Sequence, residues 1–146
     1  MFCPGCGLGN IINYVTRGIE ASGIDKDNVI LVSGIGCTAR IPGYFDADSI
    51  HTTHGRAIPV ATAIKMTNPN LDVVVISGDG DLMGIGGNHF IHAVRRNVGI
   101  KVICATNFTY GMTGGQTAPT TPHGMLSPSY PWEGNPEDHI DMAKLA

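Results

Sequence analysis

The 146-residue chain is long enough for one ordinary domain, with 42% hydrophobic residues, 14% charged residues and a formal net charge of −3. Low charge with hydrophobic runs excludes intrinsic disorder, and the lack of a basic excess argues against nucleic-acid binding. No hydrophobic run reaches the ~18 residues of a membrane span. The N-terminus lacks the basic region of a signal peptide, so we expect a cytoplasmic protein without membrane segments.

Helices and short hydrophobic strands alternate along the chain. Apolar residues at helical spacing predict three helices, over residues 7–22, 57–67 and about 87–97. Continuous hydrophobic runs predict three buried strands, over residues 29–33, 72–77 and 100–106. Residues 108–135 are rich in Gly, Pro, Thr and Ser, which predicts a long loop. The alternation is typical of an α/β fold, with a parallel sheet and helices on both faces.

The C-terminal segment from Asn135 predicts the start of a helix. Asn135 is a suitable N-cap, Pro136 suits the first helical position, and Glu137 favours the positive end of the helix dipole. The sequence then ends without a cap or breaker. We therefore expect one domain over residues 1–146 that is truncated at its C-terminus, with a short terminal helix as the alternative.

Glycine-rich or polar loops follow each predicted strand, at the edge where parallel sheets bind ligands. These loops are Gly34–Gly43, Gly78–Gly87 and Asn107–Gln116. In the second loop, Asp79 lies between Gly78 and Gly80, where a carboxylate can hold a hard cation such as Mg²⁺ that bridges to a diphosphate. A tight turn in which Asp79 caps a helix is the structural alternative. Asn107 follows the next strand, so we expect its side-chain oxygen beside Asp79.

Three of the four cysteines lie in predicted loops. Cys3 and Cys6 form a Cys-x-x-Cys turn, and Cys37 lies in the loop after the first strand. The chemical alternatives for them are a disulfide, a zinc site or an iron–sulfur cluster. A stable disulfide is not expected without an export signal. Cys104 lies inside a predicted strand, which indicates a core residue.

Five motifs occur in an order that resembles a known family. They are MFCPGCG at 1–7, GIGC at 34–37, HGRA at 54–57, GDGD at 78–81 and YGMTGGQ at 110–116. Together they resemble the β subunit, which binds thiamine diphosphate, of the 2-oxoacid:ferredoxin oxidoreductases, most closely the 2-oxoglutarate type. The resemblance covers essentially the whole chain and implies the thiamine-diphosphate-binding fold.

The resemblance also implies which residues bind the cofactors. Asp79, Asn107 and the carbonyl of Thr109 are expected to bind Mg²⁺. The expected contacts to thiamine diphosphate add five residues to these three: His54, Gly55, Gly78, Gly80 and Gly111. Cys3, Cys6 and Cys37 are expected to bind a [4Fe–4S] cluster whose fourth ligand lies outside this chain, since Cys104 in a strand interior does not reach the loops.

The implied reaction is the coenzyme A-dependent oxidative decarboxylation of a 2-oxoacid to acyl-CoA and CO₂, with reduction of ferredoxin. The chain is expected to be active only in a hetero-oligomer with the α subunit. Arg40 is a candidate partner for the distal carboxylate of 2-oxoglutarate, and Met112 is a candidate for the pocket wall; a surface or subunit contact is the alternative for Arg40. A branched-chain 2-oxoacid or pyruvate is the alternative substrate. A zinc-stabilised binding module is the alternative of a different class.

Overall fold

A computed structural model describes residues 2–146, and its centre is a four-stranded parallel sheet. The strands are β1 (Val29–Ser33), β2 (Asp48–His51), β3 (Asp72–Gly78) and β4 (Lys101–Ala105). Their order is β2-β1-β3-β4, and the register aligns Ile50, Val32, Val75 and Val102 across the sheet. Because all four strands are parallel, their carboxyl ends and the loops that follow lie along one edge.

Helices cover both faces of this sheet. They are α1 (Leu8–Ser22), α2 (Ala57–Thr67) and α3 (Gly87–Arg95). Val73 and Val75 of β3 pack in the core with α2 and α3, whereas Val74 and Ile76 pack in the core with α1. Both faces of the strand are therefore buried, which explains its continuous hydrophobic run, and each such side chain contributes about 1.5–3 kcal/mol of burial free energy. The predicted α/β fold with helices on both faces is confirmed.

Two elements between β1 and α2 differ from the sequence prediction. Residues Thr38–Tyr44, most of them in the predicted loop, form a 3₁₀ helix, and Asp48–His51 forms the unpredicted strand β2. All four residues of β2 are exposed. This strand therefore lacks the hydrophobic run that identifies the buried strands. The strand predicted to be buried over residues 100–106 is β4, at the opposite edge of the sheet, and it is only partly buried.

The predicted loop over residues 108–135 contains a small hairpin. Its strands are β5 (Thr109–Tyr110) and β6 (Gln116–Thr117), joined through a 3₁₀ turn at Gly111–Thr113. Each strand has only two residues, too few to produce a period in the sequence. In the part of the chain that the structure describes, no helix is long and apolar enough to cross a membrane.

The prediction of a helix that begins after Asn135 is wrong. The last helix, α4 (Met142–Leu145), is capped by Asp141, whose Oδ1 accepts the backbone N–H groups of Ala143 at 3.1 Å and Lys144 at 3.2 Å. Asn135 is instead buried, and its side-chain amide donates to the carbonyl of Thr121 at 2.9 Å. The Asn135 side chain therefore stabilises a loop and does not cap a helix.

Candidate functional site

The loop after β3 brings two buried carboxylates to the edge of the sheet where the strands end. β3 ends at Gly78, and a turn of π-helix follows at Gly80–Ile85. The ring of Tyr110 lies across this turn: a Cβ atom on Gly80 would be 2.6 Å from the ring, and one on Gly84 would overlap the hydroxyl. The glycines therefore allow close approach of the Tyr110 ring to the turn that carries Asp79 and Asp81.

Asp79 is 1% exposed and points to the loop after β4. Its Oδ2 accepts the backbone N–H of Phe108 at 3.1 Å and the hydroxyl of Thr120. The N–H of Asn107 approaches Oδ1 at the longer distance of 3.5 Å. Asp79 therefore connects the β3 turn to the β4 loop, and it does not cap a helix through its side chain.

Asp81 is 3% exposed and connects the ends of three strands. Its Oδ1 accepts the N–H groups of Ile35 at 3.1 Å and Gly55 at 2.7 Å, and its Oδ2 accepts the hydroxyl of Ser77 at 2.5 Å. Nδ1 of His54 lies 2.6 Å from Oδ1, but the contact is not aligned as a hydrogen bond. The sequence motif contains Asp81, yet the sequence gives no indication of these partners 26 and 46 residues away.

A sharp turn after β4 presents Asn107 and Thr109 to the same region. Phe108 between them has φ of +63°, a left-handed conformation that costs a non-glycine residue about 1–2 kcal/mol. The side-chain oxygen of Asn107 accepts the N–H of Thr109 at 3.2 Å. A Cβ atom on Gly111 would lie 3.0 Å from the Asn107 amide nitrogen, so this glycine leaves room for the side chain.

Most of the predicted site residues line a cavity of about 480 Å³. The predicted residues that line it are His54, Gly78, Asp79, Gly80, Asn107, Thr109, Gly111, Met112, Cys3, Cys6 and Cys37. Gly55 does not line this cavity, and its N–H donates to Asp81 at 2.7 Å. Arg40 lines a neighbouring cavity of about 630 Å³, which shares Met112 and the three cysteines with the first.

The donor set of the first cavity fits a hard cation. Within residues 2–146, no lysine or arginine forms an ion pair with Asp79 or Asp81, and His54 is the one basic side chain within 4 Å of either carboxylate. Carboxylate, amide and carbonyl oxygens of Asp79, Asn107 and Thr109 are the ligand types that Mg²⁺ prefers. Burial, and then the charges of Asp79 and Asp81, raise the pKa of the neighbouring Tyr110. The site therefore has excess negative charge that a divalent cation would balance.

The three loop cysteines lie exposed on the walls of both cavities. Cys3, Cys6 and Cys37 have free thiols, and the backbone N–H of Cys6 donates to the carbonyl of Cys3 at 3.0 Å. Across residues 2–146, no three His, Cys, Asp or Glu side chains are grouped closely enough to hold a metal ion. The predicted cysteines thus share one region of the surface, without the spacing of a closed metal site.

Cys104 lies on the other side of the β4 end, half-buried within the described chain. Its Sγ is 3.6 Å from the hydroxyl of Thr106 and 3.8 Å from the sulfur of Met142. Burial raises the pKa of this thiol; the Thr106 contact opposes the shift, and the charges of Asp79 and Asp81 add to it. This environment is that of a core residue, as the sequence predicts.

Sequence reasoning missed three residues that hydrogen-bond to the two carboxylates, Thr120, Ser77 and Ile35. Each contributes a hydroxyl or a backbone N–H to Asp79 or Asp81 from a different segment. Their residue types are common, and only the fold brings them to the carboxylates. A threonine-rich stretch at 117–121 is visible in the sequence, but its position beside Asp79 is not.

The chain is similar in sequence to several known proteins. A family model described as "Thiamine pyrophosphate enzyme, C-terminal TPP binding domain" matches residues 34–146. The chain is 55% identical to the 2-oxoglutarate synthase subunit KorB of Methanothermobacter thermautotrophicus over 99% of this chain and 50% of that protein. It is 41% identical to the 2-oxoglutarate oxidoreductase subunit KorB of Mycobacterium tuberculosis over 89% of this chain and 35% of that one.

A solved structure is similar in fold as well as in sequence. It is the 2-oxoglutarate:ferredoxin oxidoreductase from Magnetococcus marinus with 2-oxoglutarate, coenzyme A and succinyl-CoA bound. The TM-score is 0.94 at 40% identity, over 99% of this chain and 51% of that chain. The chain spans about half the length of the curated relatives it matches.

Proposed function

This chain belongs to the thiamine pyrophosphate enzymes through their C-terminal TPP-binding domain, and we propose that it is the cofactor-binding part of a 2-oxoglutarate:ferredoxin oxidoreductase β subunit. The proposed reaction is the coenzyme A-dependent oxidative decarboxylation of 2-oxoglutarate to succinyl-CoA and CO₂, with reduction of ferredoxin. The proposed partner is the α subunit of the same complex. The observation that carries the proposal is Asp79, buried at the end of β3 with Asn107 and Thr109 on the same cavity wall.

Asp79, Asn107 and the carbonyl of Thr109 are the proposed Mg²⁺ ligands. The diphosphate of the cofactor carries negative charge, which the buried carboxylates would repel unless a cation lay between them. Asp81 fixes the backbone of Ile35 and Gly55, so the loops around the diphosphate do not have to be ordered when the cofactor binds. Thiamine diphosphate, when bound, supplies the electron sink for the carbon–carbon bond that breaks as CO₂ leaves.

Cys3, Cys6 and Cys37 are the proposed ligands of a [4Fe–4S] cluster, with the fourth ligand outside this chain. Thiolates are the ligands that such clusters use, and the three thiols are exposed on the walls of the cavity that contains Asp79. The cluster, when bound, supplies the one-electron steps that deliver electrons to ferredoxin. Their exposure leaves these residues accessible to a cluster.

Arg40 and Met112 are the proposed contacts to the substrate. Arg40 has an exposed guanidinium without an acidic partner in residues 2–146, on a cavity that shares Met112 with the cofactor cavity. A guanidinium can pair with the distal carboxylate of 2-oxoglutarate, and the flexible thioether of Met112 can pack on the aliphatic part of the substrate.

Calorimetric titration of thiamine diphosphate tests the cofactor site. The full-length protein is purified anaerobically with its α subunit and titrated with and without Mg²⁺. We expect Asp79→Ala to abolish Mg²⁺-dependent binding, a larger effect than the about 10–100-fold loss typical of an outer-shell partner. A folded Asp79→Ala complex that still binds the cofactor as tightly with Mg²⁺ would contradict the proposal.

Ferredoxin reduction with two substrates tests Arg40. In Arg40→Met, loss of a charge-assisted hydrogen bond worth about 1.5–3 kcal/mol should lower kcat/KM for 2-oxoglutarate by about 10–100-fold. Activity with pyruvate, which has no distal carboxylate, should change much less. Equal losses with both substrates would remove Arg40 from the proposed substrate contacts.

A further inference from the structure

We infer that Thr120 is a positioning residue that fixes the orientation of the Asp79 carboxylate and thereby sets how tightly the site holds its cation. The inference rests on the proposed function, because Asp79 is the proposed Mg²⁺ ligand. The hydroxyl of Thr120 donates to Oδ2 of Asp79 across 41 residues of sequence. Thr120 is 2% exposed, so water does not compete for this contact.

The two oxygens of Asp79 are in different environments. Oδ2 accepts both the Thr120 hydroxyl and the backbone N–H of Phe108 at 3.1 Å. Oδ1 receives only the long 3.5 Å approach of the Asn107 N–H, so its lone pairs are the ones available to a cation. Two donors on one oxygen hold the carboxylate against rotation about the bond that joins it to Cβ, which leaves Oδ1 as the ligand atom.

Thr120 is held in place by its neighbours rather than by its own hydroxyl. The hydroxyl of Thr121 donates to the carbonyl of Phe108 and accepts the N–H of Ala118 at 2.8 Å. The carbonyl of Thr121 accepts the Asn135 amide at 2.9 Å. This segment is thereby joined to the same turn that presents Asn107 and Thr109. Removing the Thr120 hydroxyl should therefore leave the backbone where it is.

Outer-shell hydrogen bonds to metal ligands have a measurable effect, since their loss typically costs about 10–100-fold in metal affinity. Without the hydroxyl, the Asp79 carboxylate retains the Phe108 N–H but gains freedom to rotate. Cation binding must then order it. The effect should appear in the cation requirement of cofactor binding, apart from any loss of chain stability that the missing hydrogen bond causes.

The test compares Thr120→Val with Thr120→Ser in the full-length complex with its α subunit. Mg²⁺ is titrated calorimetrically at a fixed, saturating concentration of thiamine diphosphate, and Mn²⁺ is titrated in parallel with its spin-resonance signal as readout. We expect Thr120→Val to raise the half-saturating concentration of each cation by about 10–100-fold. Thr120→Ser, which keeps the hydroxyl, should restore binding to within about threefold of the wild type.

Thr117→Val is the matched control, because the Thr117 hydroxyl contacts Ser127 at 2.7 Å and not the site. We expect it to leave the cation requirement unchanged. If Thr120→Val does not fold, Thr120→Ala removes the same hydroxyl without adding a methyl group to a buried site and has the same expected shift. Thermal unfolding checks that each variant is intact.

Asp79→Ala separates the inference from the proposed function. Suppose that Asp79→Ala loses Mg²⁺-dependent binding of the cofactor. If the half-saturating cation concentration of Thr120→Val then equals that of the wild type, or rises no more than that of Thr117→Val, the inference is overturned and the proposed function stands. Failure of Thr120→Ser to restore binding also overturns it, because the hydroxyl is then not the active group. If Asp79→Ala binds the cofactor and cation normally, the proposed site is wrong and the inference falls with it.

Discussion

The acidic side and the cysteine side of the cavity are held in different ways. On the acidic side, Asp79 and Asp81 are nearly inaccessible to solvent, and each accepts hydrogen bonds from at least two other segments. On the cysteine side, Cys3, Cys6 and Cys37 are exposed, and none of their thiols has a hydrogen-bond partner within residues 2–146. The acidic side is therefore held by contacts within the chain, whereas the thiols of the cysteine side are not.

The burial of the two carboxylates explains why the acidic side needs so many donors. Removing a carboxylate from water costs several kcal/mol even after relaxation of the protein, about as much as strong hydrogen bonds can offset. Backbone N–H groups and hydroxyls from five segments provide that compensation here, with His54 beside Asp81. Any substitution that displaces one carboxylate should therefore affect several loops together.

Gly34→Ala should be the most damaging single change on the acidic side. A Cβ atom at Gly34 would overlap the Asp81 carboxylate. The carboxylate cannot move away without losing its hydrogen bonds to Ile35, Gly55 and Ser77. We expect the free energy of unfolding to fall by about 3 kcal/mol or more. Urea denaturation of the full-length protein measures the change.

Gly43→Ala is the control for that measurement, since no atom lies within 4 Å of its added Cβ. Its effect should stay within about 0.5 kcal/mol. Similar losses at both glycines would mean that the space around Asp81 does not limit the packing of the strand ends.

Replacing Asp81 itself distinguishes its hydrogen bonds from its charge. Asp81→Ala leaves the N–H groups of Ile35 and Gly55 without an acceptor, which should lower the free energy of unfolding by about 2–4 kcal/mol. Asp81→Asn keeps an oxygen for both groups, and the Ser77 hydroxyl can turn to accept, so we expect a loss of only about 1 kcal/mol. Denaturant titration of both variants measures the difference, and equal losses would show that the charge dominates.

On the acidic side, the sequence predicts the position of one carboxylate but not the hydrogen-bond partners of the other. Asp79 could be placed from the sequence because it follows a hydrophobic run, and parallel strands end at one edge of their sheet. The partners of Asp81 could not be placed, because they depend on how loops 26 and 46 residues away fold back. Asn135 was misplaced because its side chain suits a helix cap equally well. Only the tertiary structure shows that it binds Thr121 instead.

A smaller effect, on the pH dependence of stability, should distinguish Cys104 from the three loop cysteines. Because burial raises the pKa of Cys104 above its ordinary value of 9.0, the folded state keeps a proton that the unfolded chain loses at high pH. Unfolding then releases that proton, so stability should fall as the pH rises above about 9. Denaturation of the wild type and Cys104→Ala between pH 8 and 10 measures this contribution, which the variant should lack. If the free energy of unfolding falls equally with pH in both proteins, other groups cause the pH dependence.

Cys37→Ser should have the smallest effect on folding and is the most direct test of the comparison. The thiol is exposed and contacts no hydrogen-bond partner within residues 2–146, so in iron-free protein the free energy of unfolding should change by less than about 0.5 kcal/mol. In anaerobically purified complex, the same change should lower the iron content and the visible absorption of the proposed cluster, because a thiolate ligand is lost. Should iron-free Cys37→Ser lose as much stability as Asp81→Ala, the cysteine side would also be held by contacts within the chain, and the contrast between the two sides would fail.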